Sequence, residues 1–83
     1  MIEIYGKPQC PFCDRAKALC ETRKLPYLYF QLGTDFTRDE VLEMFPNART
    51  FPQIKVGGKS IGGWDNFPQY LEETNYTGTG DSL

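Results

Sequence analysis

Histidine is absent from this chain of 83 residues. Its absence rules out Cys–His nucleophile pairs, Ser–His–Asp triads and any zinc site with an imidazole ligand. Cysteine is scarce. There are three, two close together and one left over. A secreted disulfide scaffold usually shows more, evenly paired and spread along the chain. A reducing compartment fits better, and the expected location is cytoplasmic. No apolar run approaches the roughly 20 residues that cross a bilayer, so no membrane association is expected. The opening Met1-Ile2-Glu3-Ile4-Tyr5 is too short and acidic for a secretion signal. Positive charge is not in excess either, at a net −2. A nucleic-acid binder would usually need a broad basic face.

What is present fits one small domain over residues 1–74, followed by a Gly/Thr/Ser-rich stretch, 75–83, that reads as a flexible tail. One Trp, five Tyr and six Phe supply apolar area that a core of this size needs. Charge is unevenly placed. Lys7, Arg15, Lys17, Arg23, Lys24 and Arg49 lie near the Cys10/Cys13 pair or on the segment after it. Acids gather between Asp35 and Glu43 and near the end. That asymmetry points to a small anionic ligand beside the thiols.

Ile2 to Tyr5 reads as a strand ending at Gly6. Phe12, Ala16, Leu19 and Cys20 recur at helical spacing, predicting a helix from Pro11 to about Lys24 with those residues inward. Tyr27 to Leu32 reads as a strand buried on both faces. Thr37 and Glu40 are spaced as a capping box for a short helix that carries Val41, Leu42, Met44 and Phe45 to the core. Gln53–Val56 and Lys59–Ile61 flank Gly57-Gly58 as a hairpin. Asp65 to about Thr74 is expected to be the last helix. The order β-α-β-α-β-β-α predicts one four-stranded mixed sheet with three flanking helices, an α/β fold.

Three motifs carry chemistry. Cys10-Pro11-Phe12-Cys13 joins a loop to a helix, with Cys10 at the cap. There the first-turn N–H groups and the helix dipole favour a thiolate, and Lys7 can add to this from the loop. Cys10 is then the nucleophile and Cys13 the resolving thiol. A bare C-x-x-C also serves metal sites, but only Cys20 remains as a further thiolate ligand, and no metal is expected. Cys20 itself reads as a small buried hydrophobe, with a regulatory thiol as the alternative. In Arg49-Thr50-Phe51-Pro52-Gln53 the X–Pro bond is the one common place for a cis peptide. A cis bond would offer the Phe51 backbone to an extended peptide, whereas a trans proline would merely open an edge strand. The dithiol upstream favours cis. In Gly62-Gly63-Trp64-Asp65-Asn66, glycines before a helix let a ligand approach the backbone, and Asp65 can meet an ammonium group or cap the helix.

Together, in this order and spacing, these motifs resemble glutaredoxins of the dithiol type, members of the thioredoxin-fold superfamily. The resemblance runs from Ile2 to about Leu71. The short chain also resembles versions carried by bacterial viruses. It implies a glutathione-dependent thiol–disulfide oxidoreductase. Cys10 would attack glutathione mixed disulfides, or protein disulfides with Cys13 completing the exchange, and glutathione would restore the dithiol. Lys7 and Arg49 would face the glycine carboxylate, Phe51 the cysteinyl unit, and Trp64 and Asp65 the γ-glutamyl end. Phe12, Thr50, Pro52 and Gly63 complete the expected glutathione site. A monomer acting on protein disulfides or glutathionylated proteins, ribonucleotide reductase among them, is implied. Phe12 stands where tyrosine is frequent, Phe51 where valine is usual and Asn66 where a second aspartate is common. Two alternatives share the fold. One is an electron donor served by thioredoxin reductase, against which Lys7, Arg49 and Asp65 argue. The other is a carrier of a two-iron two-sulfur cluster, against which Pro11 and Cys13 argue.

Overall fold

A computed structural model describes residues 1–74; the expected tail, 75–83, lies outside the described residues. The elements are β1 (Ile2–Gly6), α1 (Pro11–Thr22), β2 (Tyr27–Gln31), α2 (Arg38–Met44), β3 (Gln53–Val56), β4 (Lys59–Gly62) and α3 (Phe67–Thr74). A single 3-10 turn over Trp64–Asn66 precedes α3. The strands form one mixed sheet in the order β2-β1-β3-β4. β1 is parallel to β2, with Ile4 opposite Tyr29, and antiparallel to β3, with Ile4 opposite Ile54.

Alternation along β1 builds a layer on each face of the sheet. Ile2 and Ile4 meet Ala16 and Cys20 of α1, Phe67 and Leu71 of α3, and Ile54 and Val56 of β3. Tyr5 points the other way, toward Phe36, Val41 and Phe45 on the α2 side. Its ring stacks on Phe30 at 5.0 Å between centroids and meets Phe36 and Phe45 edge-on. α1 is thus held against the sheet by an apolar core.

Local signals set most boundaries. Pro11 occupies the first turn of α1, where a missing N–H is harmless. The capping box is formed: Glu40 N–H donates to Thr37 Oγ1 at 3.2 Å, and Thr37 N–H donates to Glu40 Oε1 at 2.8 Å. Gly57 and Gly58 both have positive φ, 60° and 83°, as a two-residue hairpin requires.

Several expectations are corrected. β2 is the sheet's edge strand, not a strand buried on both faces, and Leu28 is 46% exposed. Its aromatics are only half-buried, and Tyr27 holds its hydroxyl out to Glu21 at 2.6 Å. α1 ends at Thr22, two residues early, because Lys24 turns into the left-handed region at φ 57°. Phe12 does not join the inward stripe of α1; it is 46% exposed, and the buried positions are Cys13, Ala16 and Cys20. Leu42 likewise faces outward from α2, since Val41 and Phe45 already fill the α2 side of the core. β4 continues to Gly62, and the last helix proper starts at Phe67.

Candidate dithiol active site

Cys10 caps α1 in extended conformation (φ −120°, ψ 102°), and its sulfur accepts the backbone N–H of Cys13 at 3.2 Å. Gln9, just before it, takes a left-handed φ of 57°, which lets the Lys7–Gln9 loop deliver Cys10 at the helix mouth. Cys10 and Cys13 are disulfide-bonded with Cα atoms 5.2 Å apart, within the ordinary range. Cys10 keeps 6% exposure and Cys13 none. An incoming thiol therefore meets Cys10 first. Once the bond is open, the same N–H and the α1 dipole stabilise negative charge on Cys10.

The Phe51–Pro52 peptide is cis, as expected. The Phe51 carbonyl oxygen lies 3.7 Å from Cys10 Sγ. Gly63 packs on this same loop. A β-carbon there would stand 3.2 Å from the Pro52 carbonyl oxygen and 3.6 Å from Thr50 Oγ1. Thr50, Pro52 and Gly63 are therefore brought together, next to the Phe51 carbonyl that faces the sulfur.

Lys7 and Arg49 line a groove of about 290 Å³ with Thr50 and Phe51. Arg38, which sequence reasoning missed, lines it too. None of the three cations forms a salt bridge among the described residues; the pairs present are Lys17–Asp14 and Arg23–Glu72. A signal for Arg38 did exist. It opens α2, where the helix dipole disfavours a cation, so its placement calls for another reason. A second groove, about 490 Å³, shares Arg49 and Thr50 and continues past Gln53, Ser60 and Gly63.

Trp64 packs, half-buried, on the core between the sheet and α1. Asp65 is exposed, and its carboxylate makes no hydrogen bond among the described residues. No backbone N–H donates to that carboxylate among the described residues, in contrast to Thr37 at the cap of α2, so the helix-capping alternative for Asp65 is not realised. Asn66 ties the turn back to β4, its amide donating to the Ile61 carbonyl at 3.2 Å. Phe12 lies at the rim with the Arg15 guanidinium 5.1 Å from its ring centroid. Cys20 is fully buried, and burial, with Glu21 nearby, pushes its thiol up to about 11, which suits packing more than exchange. Among the described residues no cluster of three or more His, Cys, Asp or Glu is arranged to hold a metal ion.

An N–H directed at the Cys10 sulfur, a second sulfur bonded to it and a residual exposure on Cys10 alone suit this end of α1 to thiol–disulfide exchange. The chain is a thiol–disulfide oxidoreductase built on a thioredoxin fold. Comparison with known proteins narrows the class. A family model for glutaredoxin matches residues 2–61. The glutaredoxin of Haemophilus influenzae is 32% identical over 79 residues, covering 87% of this chain and 91% of that one. A hybrid peroxiredoxin of the same organism is 41% identical over 70 residues, 84% of this chain but 29% of that longer protein. Among solved structures, reduced Escherichia coli glutaredoxin superposes with a TM-score of 0.76 at 28% identity, covering 89% and 95% of the two chains. A buckwheat glutaredoxin–glutathione complex gives 0.73 at 25% identity, covering 87% and 68%. The chain belongs to the glutaredoxin family.

Proposed function

We propose that glutathione is the thiol this protein uses, and that it reduces glutathione mixed disulfides and protein disulfides. The observation that carries the reading is the set of three cations, Lys7, Arg38 and Arg49, on one groove that reaches Phe51, whose carbonyl oxygen lies 3.7 Å from Cys10 Sγ, and without acidic partners among the described residues. Such a groove suits the carboxylate end of a small anionic peptide. The Phe51 backbone at the cis peptide, 3.7 Å from Cys10 Sγ through its carbonyl oxygen, suits pairing with the middle of such a peptide. Gly63 packs on the cis-proline loop, and the free carboxylate of Asp65, exposed two residues on, is available to the ammonium at its far end. The structural likeness to a glutaredoxin solved with glutathione adds support. Trp64 acts here through the core that holds the turn.

The exchange runs in two modes. In the first, Cys10 thiolate attacks the glutathionyl sulfur of a mixed disulfide and the client leaves as a thiolate. A second glutathione thiolate then attacks the glutathionyl sulfur on Cys10, releasing glutathione disulfide. In the second, Cys10 attacks a client disulfide. Cys13 loses its proton and attacks the Cys10 sulfur, freeing the client dithiol and leaving the Cys10–Cys13 disulfide. Two glutathiones return it to the dithiol, and one glutathione disulfide is formed.

A monomer in a reducing cytoplasm fits this chemistry, with ribonucleotide reductase one candidate client. The hybrid peroxiredoxin relative favours a further client, an oxidised peroxiredoxin, since a domain like this one is joined to such an enzyme there. The deciding assay supplies a glutathionylated protein with either glutathione plus glutathione reductase or thioredoxin reductase alone. Turnover with the first is expected. Turnover confined to the second would replace glutathione as the reductant.

A further inference from the structure

We propose that the Tyr29 phenol is a positioning group for Cys13, donating a hydrogen bond to the resolving sulfur whenever that sulfur carries negative charge. The inference rests on the assignment of Cys13 as the resolving thiol.

The alternation that sends Ile2 and Ile4 toward α1 also turns Gly6 that way. A β-carbon on Gly6 would overlap the Tyr29 hydroxyl and stand 3.0 Å from Cys13 Sγ. The phenol oxygen and the sulfur thus flank the same point above β1, and the missing side chain of Gly6 is what lets them approach. Tyr5 and Tyr27 give their hydroxyls to Glu3 and Glu21. The half-buried Tyr29 gives its hydroxyl to no protein acceptor among the described residues, although tyrosine hydroxyls normally find one. Cys13 is equally short of donors: it is fully buried, and its own N–H is already given to Cys10.

The surroundings keep the phenol a donor. Lys17 Nζ lies 4.3 Å from the ring centroid and polarises the ring, and Lys17 also pairs with Asp14 at 3.7 Å. Burial and the Asp14 carboxylate hold the phenol's pKa above its ordinary value. Lys17 and Asp14 are the charged groups beside it from α1. β1 presents Ile4 and Gly6 on that face, and α3 presents Phe67 and Leu71. Tyr29 therefore keeps its proton throughout. When a thiolate attacks Cys10 of the disulfide, the S–S bond breaks and its electron pair leaves on Cys13. The O–H of Tyr29 stabilises that pair until solvent supplies a proton. In the reverse direction it stabilises the Cys13 thiolate that attacks Cys10.

The test uses Tyr29→Phe, which keeps the ring under Lys17 and removes only the hydroxyl. Reduction of the oxidised protein by dithiothreitol, which needs no glutathione groove, is expected to slow about tenfold. In a Cys10→Ser background the same change is expected to raise the Cys13 pKa, read from thiolate ultraviolet absorbance, by about one unit. In a Cys13→Ser background, with Cys10 oxidised as a mixed disulfide with glutathione, the same change should leave the rate of reduction by dithiothreitol unaltered. An unchanged dithiothreitol rate, an unchanged Cys13 pKa, or an equal loss without Cys13 would each overturn the proposal. Because dithiothreitol is the reductant, failure of glutathione as the physiological thiol leaves this result readable.

Discussion

Gly63 lies against Pro52, close enough that any β-carbon would press the Pro52 carbonyl oxygen at 3.2 Å. Two segments far apart in sequence, the cis-proline loop and the turn before α3, thereby pack as one surface, continuous with the Phe51 carbonyl that faces Cys10 Sγ at 3.7 Å. The contact is with backbone, which cannot swing aside as a flexible side chain would. Gly63→Val should therefore shift the loop that faces the sulfur. A displacement of this kind costs tenfold or more in rate when it misplaces a reacting group. We expect kcat/KM for a glutathionylated substrate to fall about tenfold while the alkylation rate of Cys10 stays near that of the parent. Unchanged kcat/KM would detach the turn from the site.

Arg38 makes a prediction with two signs. It sits at the first position of α2, where a cation opposes the helix dipole by about 0.3–1 kcal/mol. Arg38→Gln should thus raise the denaturation midpoint slightly. The same change removes one of three cations from the groove, so KM for glutathione substrates should rise several-fold and its dependence on salt should weaken. A fall in stability, or an unmoved KM, would show that Arg38 does not serve the groove.

The two active-site cysteines should separate by substrate. Cys10→Ser is expected to abolish every exchange, because Cys13 is fully buried and cannot meet a client first. Cys13→Ser should lose the reduction of protein disulfides, which needs a second sulfur, and retain turnover of glutathione mixed disulfides, which does not. Rates with one substrate of each kind check this. Residual activity in Cys10→Ser, or loss of both activities in Cys13→Ser, would reverse the roles.

Elements with a local marker were legible in the sequence. Pro11, the Thr37/Glu40 pair and Gly57-Gly58 each fix a backbone feature through their own chemistry, and each appears where expected. What failed depended on distant partners. Tyr27 to Leu32 has the apolar content of a central strand, but its place in the sheet is decided by how β1 and β3 pair, and it lies at the edge. Phe12 fits a helical stripe on paper. The real stripe is rotated onto Cys13, Ala16 and Cys20, because two cysteines serve as the small buried residues against the sheet. The dithiol, cis-proline and glycine motifs could be read singly. The grouping of Arg38 with Lys7 and Arg49, and the meeting of Tyr29 with Cys13 over Gly6, arise from tertiary packing that no short window of sequence contains.

Alkaline pH should loosen the fold through buried acids that keep their protons. Burial raises Cys20 from an ordinary value of 9.0 to about 11, and burial with a hydrogen bond to Glu3 raises Tyr5 from 10.0 to about 12. Between each pair of values the unfolded chain has lost a proton that the folded chain retains. The unfolded state then binds fewer protons, so stability falls as pH rises. Each contribution is fully present below the unfolded value and is lost as pH climbs through the folded one. Denaturant midpoints of the oxidised protein, in which Cys10 and Cys13 do not titrate, should hold steady below about pH 9 and decline above it. In Cys20→Ala the first part of that decline should flatten, and the loss from Tyr5 should remain. The parent's Cys20 should also resist alkylation at neutral pH until denaturant is added, since it is fully buried. An unaltered decline in Cys20→Ala, or ready labelling of native Cys20, would mean that this thiol is not held protonated by the core and would return it to the candidates for regulation.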